Sequence, residues 1–94
     1  MTGQEITNVT LTANTETLIT YADRQQAADV VNYGPDAVFI CWNGGSATVG
    51  GQNCLRLDSG QTYEIRTRYH WSGLHMISAG NPSVQVVSGV NAST

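Results

Sequence analysis

Apolar and polar residues alternate along this chain in short runs, with turn residues between the runs. "NVTLTA" sets Val9, Leu11 and Ala13 on one face, with threonines opposite. "TLITYA" offers Leu18, Thr20 and Ala22 to one side, and Ile19 and Tyr21 to the other. "DVVNYG", "AVFICW", "NCLRLD", "TYEIRT", "LHMISA" and "SVQVVS" follow, punctuated by "GPD", "NGG", "DSGQ", "SG" and "GNP". A period of two broken by such turns predicts about eight strands, each roughly 5–8 residues long. The expected fold class is all-β: short antiparallel strands in a β-sandwich or jelly-roll barrel, with little or no helix.

Two segments refine that pattern. In "AVFICW", Val38 and Ile40 point to one face while Phe39 and Cys41 point to the other. Apolar residues on both faces mark a central strand, or one whose outer face meets another subunit. "YADRQQAADVVNYG" is the single place for helix, since Asp23 suits a cap and "RQQAAD" has fair helix propensity. Val30, Val31 and Tyr33 pull its second half toward strand, so one helical turn or a loop is expected there. The ends, residues 1–5 and 89–94, are expected to be flexible parts of a single domain spanning 1–94.

At 94 residues the chain is one small domain with a modest core, so help from a partner surface or self-association is expected. Charged residues make up only 12%, and the net charge of −3 includes no lysine. Four basic residues without a positive balance are a poor counter-charge for phosphates, so neither nucleic acid nor an acidic membrane surface is an expected partner. "MTGQEITNVT" carries neither a basic n-region nor an apolar run, so a product made in a cytoplasm is expected.

The two cysteines bracket "CWNGGSATVGGQNC". A phosphate loop needs a lysine and a following helix, and this stretch supplies neither. A zinc site usually has a tight Cys knuckle, absent here, so Cys41, Cys54, His70 and His75 are not assigned as ligands. A hairpin turning near Ala47 and Thr48 places Cys41 opposite Cys54, where a disulfide can form, whereas a cytoplasm favours thiols. No G-x-S-x-G elbow appears, and Asp58 and Glu64 flank a turn as solvated carboxylates. No catalytic, cofactor-binding or metal-ligating residue is assigned, no cofactor is expected, and the protein is expected not to be an enzyme.

Unusual residues crowd into "IRTRYHWSGLH". Arg, Tyr and Trp are enriched at interface hot spots, so Arg66, Arg68, Tyr69, His70 and Trp71 join Phe39 and Trp42 as interface candidates. Two alternatives stand beside that reading: a sugar site using Trp71, Tyr69 and the arginines, or a strand end where the arginines face solvent and Trp71 caps the core.

The order "VTLTANTETLI", "VVNYGPDAVFICW", "GGSATVGG", "LRLDSGQTYEI" and "GLHMISAGNPSVQVV" resembles small structural proteins of tailed bacteriophages, across residues 6 to 88. The resemblance implies a β-sandwich or jelly-roll protein on the virion, most plausibly a capsid decoration (cement) subunit. It implies a homotrimer contacting the major capsid protein or other virion proteins, made in the host cytoplasm and located on the capsid surface. A tail, head-fibre or adaptor component is the neighbouring alternative, and a carbohydrate-binding module is the alternative of another class.

Overall fold

The computed structural model describes residues 5–42, 47–51 and 54–88. They form six β elements and no helix: β1 (Glu5–Thr10), β2 (Thr17–Gly34), β3 (Val38–Cys41), β4 (Leu55–Leu57), β5 (Thr62–Ile77) and β6 (Ser83–Ser88). One antiparallel ladder joins them in the order β1-β6-β2-β5-β3-β4.

Length shows that this ladder is folded over. Eighteen residues of β2 at about 3.3 Å each would extend roughly 60 Å, yet the longest dimension of the molecule is 36 Å. The pairing breaks where the bend must be. β2 and β5 run in register from Thr17↔Met76 to Thr20↔Gly73, then shift at Gln25↔Trp71, and resume from Ala27↔Arg66 to Val31↔Thr62. Each long strand therefore consists of two legs, and the six elements become eight strand segments, matching the eight alternating runs of the sequence.

The legs sort into two sheets. The first contains β1, β6, the second leg of β2 and the first leg of β5. The second contains the first leg of β2, the second leg of β5, β3 and β4. With the eight segments numbered along the chain, the two orders are 1-8-3-6 and 2-7-4-5, the arrangement of a jelly roll.

Alternation then places the core. Val9, Ala28, Val30, Ile65, Val84 and Val86 face inward from the first sheet, and Ile19, Val38, Ile40, Leu57, Leu74 and Met76 from the second. β3 lies between β5 and β4, so it is an interior strand, as its two apolar faces predict.

Three expectations need correction. Residues 21–26 continue β2 as extended backbone instead of a helical turn or loop. A helix so short cannot repay its nucleation, whereas extended backbone carries the chain from one ladder to the next. "SG" at 72–73 is not a turn, because β5 passes through it. Glu5, expected in a flexible end, opens β1, while residues 1–4 and 89–94 lie outside the described residues.

The turn after β2 is built around Asn32, a fully buried polar residue. Its amide donates to the carbonyls of Asp36 and Leu57, both at 2.9 Å, and its Oδ1 accepts the Gly34 N–H at 2.8 Å. Its backbone N–H donates to Gln61 O, and its carbonyl accepts from Gly60 N–H. Gly34 has φ +87°, and a Cβ there would run into the side chain of Ser59, so this corner requires glycine.

Candidate functional site

With the inner faces spent on the core, the edges and outer faces are what the fold offers to a partner. Among the described residues, β1 pairs with β6 alone and forms the edge of the first sheet. All six of its residues pair without a register break, from Glu5↔Ser88 to Thr10↔Ser83. It carries no lysine, proline or bulge, the devices that usually keep an edge strand from pairing with another chain.

The outward positions of β1 and β6 beside this edge are uncharged, and charge begins on β2 with Asp29, which lies opposite Val87 and pairs with Arg66. Ile6 is 59% exposed and lies opposite Val87, while Asn8 lies opposite Gln85, whose amide donates to Asn8 Oδ1 at 3.0 Å. Val31 continues that row on β2, and Tyr33 follows it with 60% exposure. A shallow depression of about 140 Å³ opens here, lined by Asn8, Val9, Thr10, Tyr33, Ser83 and Val84.

The outer face of the second sheet is organised differently. Cys41 pairs with His75 across β3 and β5, and His75 pairs with Leu18 of β2. His75 Nδ1 lies 3.2 Å from Glu16 Oε2, and the same oxygen accepts the Ala47 N–H at 2.6 Å. Ala47 is thus tied to this face through Glu16, and both Ala47 and Cys41 are buried although neither belongs to the core cluster. On the other side, β3 and β4 pair as Val38↔Leu57, Phe39↔Arg56 and Ile40↔Leu55, so the next step sets Cys41 opposite Cys54. Neither sulfur is bridged; both residues are thiols. Among the described residues, no group of three or more His, Cys, Asp or Glu is placed to hold a metal ion.

The interface candidates scatter over the molecule. Phe39 is half-buried on the outer face of the second sheet, between Ile77 and Arg56. Trp42 is half-buried and stacks on Tyr63 at 5.7 Å, packing against the core from the inner side. Arg66 is exposed and paired with Asp29 at 3.2 Å, a solvated surface ion pair worth little energy. Trp71 is a correction: only 6% exposed, it sits in the core cluster, so it offers neither an interface anchor nor a sugar platform. The side chains of Arg68, Tyr69 and His70 lie outside the described residues. Sequence reasoning missed Glu16, a lone carboxylate in "TANTETL" with no motif around it. It missed Ile6 as well, because an exposed edge cannot be told from a central strand by alternation alone.

No family model matches this chain, and no curated protein matches it. Among solved structures it is similar to a cupin-2 domain containing protein from Shewanella frigidimarina NCIMB 400. The TM-score is 0.54 at 11% identity, with 93% of this chain and 71% of that chain covered. At that identity the likeness establishes the fold, a cupin-like β-sandwich, in agreement with the strand order. It also overturns the role implied by the phage resemblance. The matching fold is that of a cupin-2 domain protein and not of a virion component, so capsid decoration, with its tail, head-fibre and adaptor variants, is withdrawn. The stretches that carry the resemblance, such as "VVNYGPD" and "LRLDSGQTY", are strand and turn chemistry, which bears on fold and not on role.

Proposed function

We propose that this chain is a non-catalytic jelly-roll module that works by association, pairing with a second copy of itself along β1. The observation that carries the reading is the unprotected edge of β1, with an exposed Ile6 and an apolar-to-neutral face beside it. Two further facts support it. The described inward positions of both sheets carry aliphatic side chains and Trp71, which pack together as one core cluster. A chain of this size also gains most from burying additional apolar surface.

The strand is complementary to itself in an antiparallel register centred on Asn8. Opposed residues must then share a face, so Ile6 meets Thr10 of the second copy and Thr7 meets Val9. Ile6 lands beside the depression that Thr10, Tyr33 and Ser83 line. No like charges oppose each other, because in this register Glu5, the one charged residue of β1, has its backbone position beyond Thr10, the last residue of the partner's β1.

Light scattering over a dilution series tests the reading. The mass is expected to rise with concentration from 10.1 kDa toward twice that value, and to stay at the lower value in Ile6→Lys and Asn8→Lys. A wild-type protein that holds 10.1 kDa at every concentration would sink it.

A further inference from the structure

The thiol pair has no part in that association, and its placement is specific. We infer that Cys41 and Cys54 form a reversible redox site that closes on oxidation by a peroxide and stitches β3 to the segment before β4. The ladder runs from Val38↔Leu57 to Ile40↔Leu55, and continuing its register by one step brings Cys41 and Cys54 opposite each other on one face. Opposed residues of antiparallel strands stand about 4.5–5.5 Å apart at Cα, inside the roughly 4.4–6.8 Å that a disulfide spans. The N–H of Cys54 is bonded to Gly51 O at 3.2 Å, within its own turn, so Cys54 can shift without breaking a β3–β4 bond. Gly51 gives its sulfur room, since a Cβ at that position would come within 3.2 Å of Cys54 Sγ.

Exposure sets the order of events. Cys41 is 2% exposed and Cys54 is intermediate, so a small oxidant in solution meets Cys54 first. The Cys54 thiolate attacks one peroxide oxygen, forming the sulfenic acid and releasing the first water or alcohol. The Cys41 sulfur then attacks Cys54 Sγ, the S–S bond forms, and the hydroxyl leaves as the second water. The proton from Cys41 ends on that departing hydroxyl, with the cross-strand His75, which the Glu16 carboxylate faces, as its carrier. Two thiols lose two electrons and two protons, and the peroxide takes up both. A thiol reductant reverses the bridge by exchange.

The site is tested on the whole protein treated with hydrogen peroxide. Thiols are counted after denaturation, disulfide peptides are mapped, and the product is run on a non-reducing gel. Both thiols should disappear together, with a Cys41–Cys54 peptide, a band at monomer size, and full recovery in dithiothreitol. In Cys41→Ser, the Cys54 sulfenic acid should accumulate and be trapped by dimedone. Loss of one thiol alone in the wild type, a bridge between chains, or survival of both thiols overturns the inference. Because these readouts are intramolecular, they stand or fall apart from association through β1.

Discussion

Replacing Asn32 with alanine removes one side chain and breaks the joint between both sheets. Asn32 lies two residues before the end of β2, and its amide ties that leg to Leu57 at the end of β4 and to Asp36 before β3. The substitution strands the buried Gly34 N–H and takes a partner from the Leu57 carbonyl, through a buried bond, and from the Asp36 carbonyl, through a part-buried one. Each buried group left unsatisfied costs about 1–3 kcal/mol, so the loss should total about 3–5 kcal/mol. A domain of 94 residues has a stability of roughly 5–14 kcal/mol, at ~0.05–0.15 kcal/mol per residue. The change therefore removes a large fraction of it. With a urea m-value of about 2 kcal/mol/M, the unfolding midpoint should fall by about 2 M. Asn8→Ala is the control, because Asn8 is exposed and its side chain accepts one bond from Gln85; it should move the midpoint by less than about 0.3 M. Equal shifts for the two variants would refute the role given to Asn32. So would a shift below about 0.5 M for Asn32→Ala. Tyr33 follows Asn32 directly, so a loosened joint should also weaken self-association in partly destabilised conditions.

The remaining predictions use the same unfolding and exchange measurements. Gly34→Ala should cost more than Gly60→Ala by at least about 1 kcal/mol. Both glycines have positive φ, but only at Gly34 does a Cβ strike a neighbour, and equal costs would show that Ser59 simply moves away. On β5, Trp71→Ala should cost about 3–5 kcal/mol and Arg66→Ala less than about 1 kcal/mol, since one ring is in the core and the other side chain in a solvated ion pair. The reverse order would place the ring on the surface. Glu16→Ala should speed hydrogen exchange at the Ala47 amide while leaving the global midpoint nearly unchanged, and unaltered exchange would mean that Glu16 does not hold the segment over the second sheet.

Much of this fold is legible in the chain because a strand's side chains alternate with a fixed period of two. The eight runs from "NVTLTA" to "SVQVVS" correspond to the eight segments, and Val38 and Ile40 face inward as their spacing requires. The turn centred near Ala47 and Thr48 predicts Cys41 opposite Cys54, and the β3–β4 register agrees. Local chemistry reaches no further. "RQQAAD" has helix propensity, yet its backbone is extended because ladders on both sides demand it. Trp71 reads from its neighbours as an interface anchor, a sugar platform or a cap on the core, and the structure places it in the core.

Composition and periodicity by themselves determined the class, the strand count and which residues share a face. Only the tertiary structure decided that two runs of 18 and 16 residues are single bent strands, which makes the sandwich a jelly roll. It alone joined Glu16 to His75 and Ala47, and left β1 as an open edge. The division has a physical cause. Alternation is a property of neighbouring residues, whereas edges, corners and cross-strand pairs depend on which distant segments come together.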